Sequence, residues 1–145
     1  MSADERARTA AEAMWKGDNA SAWMGFELGD VSEGRASMSL TVQAHHANGH
    51  GTCHGGVTFA LADSAFAFAC NSRNQVTVAQ HNSITYLAPG RVGDHLTAEA
   101  SERNLTGRSG IYDVVVRNQD GIVIAEFRGL SRSIGGTLFD EAPTE

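Results

Sequence analysis

Between residues 35 and 43 the chain alternates: Ala36, Met38, Leu40 and Val42 are apolar, while Ser37, Ser39 and Thr41 are polar. A period of two sends the two sets to opposite faces, so this stretch predicts a strand half buried against a core. Residues 57–70 follow another rule. Val, Phe, Ala, Leu and Cys dominate there with no polar stripe at helical spacing, which predicts a helix buried all round. Asp63 interrupts it. Its helical neighbours at three and four residues are Phe59, Ala60, Phe66 and Ala67, so the carboxylate has no polar face to belong to. Burying a lone charge is expensive, and its presence asks for a chemical reason.

The remaining elements are read in the same way. Residues 3–16 carry Ala7, Ala10, Ala11 and Met14 near helical spacing and predict a short amphipathic helix stopped by Gly17. Asp18 or Asn19 then caps a second short turn bearing Trp23 and Met24. Residues 76–88 are rich in Val, Thr, Ile and Tyr and predict a strand ending at Pro89-Gly90. Alternation returns at 96–102, and strands are predicted at 111–117 and 122–134, separated by the turn Asn118-Gln119-Asp120-Gly121. The tail, 137–145, is predicted to fray. Short turns join antiparallel neighbours, so the order implies an α+β domain in which one long apolar helix lies against an antiparallel sheet. The whole chain, 1–145, reads as one unit, with short helices over about 3–25 and a core over about 30–136.

Composition narrows the function. A chain of 145 residues buries one sizeable core. A net charge of −6 with scattered Arg and Lys argues against a nucleic-acid partner. The apolar run is shorter than the roughly 20 residues of a spanning helix, so no membrane association is expected. The polar start and the two cysteines, Cys53 and Cys70, suggest neither a leader nor a disulfide framework, and a cytoplasmic location is expected.

The loop before the apolar helix holds the candidate chemistry. His45, His46, His50, Cys53 and His54 lie close in sequence, but no second spaced pair accompanies them, so no metal is expected. His45 and His46 read as exposed loop residues. Cys53 and Cys70 read as small core residues, because adjacent Cys53 and His54 rarely point at each other. Gly55-Gly56 is more telling. Glycines at a helix start leave amide N–H groups unpaired and unshielded, and the helix dipole favours negative charge there. With Asn48 in the same loop and Asp63 two turns along, the set suggests acyl-transfer machinery.

In motif order the chain resembles the PaaI-type hot-dog thioesterases. The resemblance rests on Asn48-Gly49-His50, Cys53-His54-Gly55-Gly56, Leu61-Ala62-Asp63-Ser64-Ala65-Phe66-Ala67 and Ala69-Cys70-Asn71-Ser72. It continues through Tyr86-Leu87-Ala88-Pro89-Gly90, Gly93-Asp94, Gly110-Ile111-Tyr112-Asp113, and Phe127-Arg128-Gly129 to Ile134-Gly135-Gly136, spanning roughly residues 20–137. It implies a hot-dog fold and hydrolysis of an acyl-CoA of the phenylacetyl-CoA or hydroxyphenylacetyl-CoA class, as in phenylacetate degradation. Asp63 would be the catalytic base or nucleophile, the Gly55 amide the carbonyl-polarising donor, and Asn48 the group orienting substrate or water. His54, Gly56, Ser64, Ser83 and Thr85 would line the substrate, with His81 and Asn82 weaker claimants. The family often carries an Arg where Ala88 stands, so Arg91, Arg108 or Arg132 would have to meet the coenzyme A phosphates. The resemblance also implies a site shared by two subunits in a dimer of dimers, with coenzyme A as substrate moiety and no cofactor. A non-hydrolytic acyl-CoA binder, a hydroxybenzoyl-CoA-type thioesterase and a hot-dog dehydratase are the alternatives. Phe59, Phe66, Phe68 and Tyr86 read as core residues.

Overall fold

The computed structural model describes residues 1–142. Two helices, α1 (Ala3–Gly17) and α2 (Asn19–Met24), precede strands β1 (Glu27–Ser32) and β2 (Arg35–Thr41). A 3-10 turn at Ala44–His46 leads to α3 (Gly55–Cys70), followed by β3 (Thr77–Tyr86), β4 (His95–Thr106), β5 (Ser109–Arg117) and β6 (Val123–Ser133). The alternation at the start holds: Ala36, Met38 and Leu40 of β2 are buried. The lack of a polar stripe holds too, since α3 packs against β2, β3, β4, β5 and β6 at once. This is the hot-dog arrangement, a six-stranded antiparallel sheet curled around one helix.

The sheet runs β1-β2-β4-β5-β6-β3, with every pairing antiparallel. Sequence neighbours pair at β1–β2, β4–β5 and β5–β6. The expectation that β3 and β4 would also be neighbours is corrected: β3 lies at the far edge beside β6, and residues 87–94 carry the chain back across to β2. Strand β1 escaped the sequence reading altogether. Its two apolar residues, Leu28 and Val31, are three apart, and the register with β2 slips between them, so no period of two survives.

Small residues on the sheet let α3 approach closely. Ala98 and Ala100 of β4 are buried beneath it, and Gly129 of β6 lies flat against the ring of Phe66. Phe66 meets Tyr112 edge-on at 5.5 Å and Phe127 at 5.9 Å, which fixes the ring.

At the C-terminal end of α3, Asn71 donates to the carbonyls of Ala67 (2.8 Å) and Thr77 (3.0 Å) and accepts from the Thr77 N–H (2.9 Å). It thereby ends the helix and starts β3. Asn74, with φ of 59°, accepts from the Leu138 and Phe139 N–H groups, and Arg6 pairs with Glu141 at 2.7 Å. Residues 137–142 are therefore anchored rather than frayed. The tail beyond them, 143–145, lies outside the described residues. Among the described residues no helix is long and apolar enough to cross a membrane.

Candidate active site

The start of α3 is capped by His54, whose Nδ1 accepts from the Gly56 N–H at 2.8 Å. The next two amides, of Val57 and Thr58, both reach the His54 carbonyl (2.9 and 3.2 Å). That leaves the Gly55 N–H, which has no acceptor among the described residues. One unpaired donor thus stands at the positive end of a 16-residue helix, where negative charge is favoured. Two expectations change as a result. The Gly56 amide is occupied by the cap, and the His54 ring acts as that cap.

Asn48 shapes the loop in front of Gly55. Its Oδ1 accepts from the N–H groups of His50 (2.9 Å) and Thr52 (3.2 Å) and from the Thr52 hydroxyl (3.3 Å). Its amide N–H2 makes no hydrogen bond among the described residues. Asn48, Gly55 and Tyr86 line one hollow of about 390 Å³, closed by Pro89-Gly90. Tyr86, expected in the core, is instead half exposed at this rim, because β3 ends there at the sheet edge.

Strand β3 runs back along α3, and the two step in phase. Asn82 Nδ2 donates to Asp63 Oδ1 at 2.9 Å, and the Tyr86 hydroxyl donates to the Gly55 carbonyl at 2.7 Å. Eight helical residues rise about 12 Å. Four strand residues span about 13 Å. Strand and helix therefore fix the positions of Asp63 and Gly55 along α3, with Ile84 packed on the core between them.

Asp63 is neither deeply buried nor free. It lines a second hollow of about 250 Å³ between α2 and α3, with Met24, Phe26, Ala60, Ser64 and Ala67 among the walls. Burial pushes its carboxyl above the ordinary carboxylate range, and the Asn82 hydrogen bond opposes that rise. Among the described residues no Arg, Lys or His pairs with it. The partner amide is itself incompletely satisfied, because Asn82 Oδ1 is buried with no donor among the described residues. An orphan acceptor of that kind costs about 1–3 kcal/mol. Beside Asp63, Ser64 Oγ lies 3.1 Å from Ser21 Oγ, which donates to Asp18 at 2.7 Å, so the Ser64 hydroxyl donates to Ser21.

The other expected residues divide. Ser83 and Thr85 are turned away: they line an outer hollow with Asp113, Glu126 and Arg128, and the sheet separates them from Asp63. The correction follows from the strand period, since Ile84 marks the inward face and Asn82 and Tyr86 share it. Arg91 follows Gly90 at the rim of the Asn48–Gly55 hollow and is exposed. Arg108 lies past the other end of β4, whose 12 residues span roughly 36 Å, so the two arginines cannot serve one site within a protomer. His46 is corrected too. It is buried, its Nδ1 accepting from the Gln43 N–H and its Nε2–H donating to the Met24 carbonyl. Burial raises the Cys53 thiol above its usual range and pushes Cys70 up to about 12, so both stay protonated as small core residues. Among the described residues no three His, Cys, Asp or Glu side chains converge as metal ligands would.

Comparison with known proteins identifies the family. Residues 50–125, which hold the helix and the catalytic candidates Gly55 and Asp63, match the Thioesterase superfamily model. The acyl-coenzyme A thioesterase PaaI of Escherichia coli K12 is 44% identical over 132 residues, 91% of this chain and 94% of that protein. The solved structure of E. coli PaaI, from the phenylacetic acid degradation operon, superposes with a TM-score of 0.92 at 43% identity, covering 94% of this chain and 99% of that one. A mutant form of phenylacetic acid degradation protein PaaI from Thermus thermophilus gives 0.78 at 36% identity, covering 81% and 100%. Sequence and fold thus agree, and the chain belongs to the thioesterase superfamily as a PaaI-type hot-dog hydrolase of thioester bonds.

Proposed function

We propose that this protein hydrolyses an aryl-acyl coenzyme A thioester of the phenylacetyl-CoA class to free acid and coenzyme A. The observation that carries the proposal is Asp63, a partly buried carboxylate with no cation paired to it among the described residues, opening into a hollow walled by Met24, Phe26, Ala60 and Ala67. A carboxylate held above its ordinary range is a stronger base than an exposed one. It takes a proton from the attacking water, or attacks the carbonyl carbon itself to form a mixed anhydride that water then cleaves to the free acid and Asp63. Either way the C–S bond breaks, the sulfur leaves with coenzyme A, and negative charge gathers transiently on the carbonyl oxygen. The Gly55 N–H supplies a donor that needs no reorganisation.

Within one chain Asp63 and Gly55 stand about 12 Å apart along α3 and open into different hollows, too far to share a reacting carbonyl. Strand β3 is an edge strand of ten residues, mostly exposed and free of Pro and Lys, open to pairing with another strand. A dimer joined there sets Asp63 of one protomer opposite Gly55 of the partner subunit, and two such dimers form the tetramer. Coenzyme A is substrate, with Arg91 at the rim as a phosphate contact.

Thiol release followed over a panel of aryl- and alkyl-CoA thioesters tests the substrate class. Phenylacetyl-CoA and its hydroxylated relatives are expected to show the highest kcat/KM. Binding without thiol release would make the protein an acyl-CoA binder instead. Asn48 gives a sharper check. Asn48→Asp keeps an acceptor for the three loop donors but removes the free N–H2, so kcat/KM is expected to fall about tenfold to a hundredfold with melting temperature unchanged. Equal turnover in both forms would remove Asn48 from the site.

A further inference from the structure

We propose that Asn82 is a positioning residue for Asp63: its amide holds one carboxylate oxygen, Oδ1, and so leaves Oδ2 as the oxygen that meets substrate or water. This rests on Asp63 being the acting carboxylate. The contact is the single side-chain hydrogen bond that reaches Asp63 among the described residues, at 2.9 Å from a strand that cannot shift without breaking its ladder with β6. The orphaned Asn82 Oδ1 points to the same role. Turned the other way, the amide would set its oxygen against the Asp63 carboxylate, acceptor facing acceptor. The charge on Asp63 therefore selects the amide orientation, and the amide in turn favours that charge.

The surroundings leave Asn82 alone in this task. On α3, Cys70 is the nearest titratable group and is held neutral by burial. From α2, Asp18 faces the same hollow but is tied to Ser21, with Ser64 intervening. On β3, His81 is exposed beside Asn82. None of these donates to Asp63. Burial drives the carboxyl toward its neutral form and Asn82 pulls it back.

Asn82→Leu keeps the branched side-chain shape while deleting the amide, and Asn82→Asp sets a second carboxylate beside the first. The test is the pH dependence of kcat and kcat/KM for phenylacetyl-CoA, with folding checked by circular dichroism. For Asn82→Leu the acidic limb is expected to move up by about one pH unit, with kcat down about tenfold at neutral pH and KM little changed. Asn82→Asp is expected to move the limb further in the same direction, because like charges this close resist joint ionisation. A wild-type pH profile in a folded Asn82→Leu variant overturns the proposal, whether or not kcat drops. Asp63→Asn assayed alongside separates the two levels. An inactive Asp63→Asn with an unmoved Asn82→Leu profile removes only Asn82, whereas an active Asp63→Asn removes the role of Asp63 and this inference with it.

Discussion

Asp63→Asn is expected to lose about a thousandfold or more of acyl-CoA hydrolysis while melting at a higher temperature than the wild type at neutral pH. The two effects share one cause. The carboxylate sits where burial disfavours its charge, with a single amide as partner and no cation. An amide of the same shape removes that penalty and removes the base or nucleophile with it. The sign of the pH dependence follows. The folded state holds the Asp63 proton more tightly than the unfolded chain does. The stability this contributes is fully present below the unfolded value near 3.9 and is lost as pH rises through the folded value. The melting difference between variant and wild type should therefore be small in acid, open as pH rises above about 4, and stay constant through neutral pH. Full turnover in the variant would sink the assignment of Asp63. A variant that melts lower than wild type at pH 7 would mean that the carboxylate is stabilised in the fold by groups other than Asn82.

Gly129→Ala is expected to be the most damaging small substitution in the sheet. A Cβ there would enter the ring of Phe66, 2.7 Å from its Cζ, and neither side has room to give. Gly129 is held in β6 between β5 and β3, paired with Tyr112 on one side and Asn82 on the other. Phe66 is 1% exposed and braced by Tyr112 and Phe127. Overpacking a rigid core costs about 3 kcal/mol or more, which for a chain of this size lowers the melting temperature by roughly 6–12 °C. Chemical denaturation measures it directly. Placing the substitution on a Phe66→Leu background should recover much of the loss relative to Phe66→Leu alone, since the clashing ring edge is gone. A Gly129→Ala protein within about 0.5 kcal/mol of wild type would show that the sheet and helix can separate freely. Because Gly129 pairs with Asn82, the strain would also reach the strand that positions Asp63.

Much of this was legible in the chain. The period of two in β2 and the stripe-free apolar run of α3 gave the layers, because alternation and uniform burial follow directly from strand and helix geometry. The isolation of Asp63 and the glycines ahead of α3 gave two of the three catalytic candidates on energetic grounds, and Asn48 stood out for its place beside them. Ser83 and Thr85 face away from Asp63 within the chain, and the signal was present, since Ile84 between them is the apolar residue and sets the inward face. Strand β1 was hidden for a different reason: its bulge breaks the only pattern that could have announced it.

Sequence alone therefore determined which residues are chemically anomalous: an acid with no polar neighbours, and amides at a helix start with no side chains to shield them. Both facts depend on spacing within a few residues, which the chain records. Tertiary structure alone decided which groups those anomalies meet. The crossover that sends β3 to the edge beside β6 brings Asn82 to Asp63 and Tyr86 to Gly55, contacts 19 and 31 residues apart in the chain. It also showed that the His54 cap occupies Gly56 and leaves Gly55 free. No local pattern encodes such pairings, because they depend on which strand lies beside which helix, and that is settled by the packing of the whole sheet.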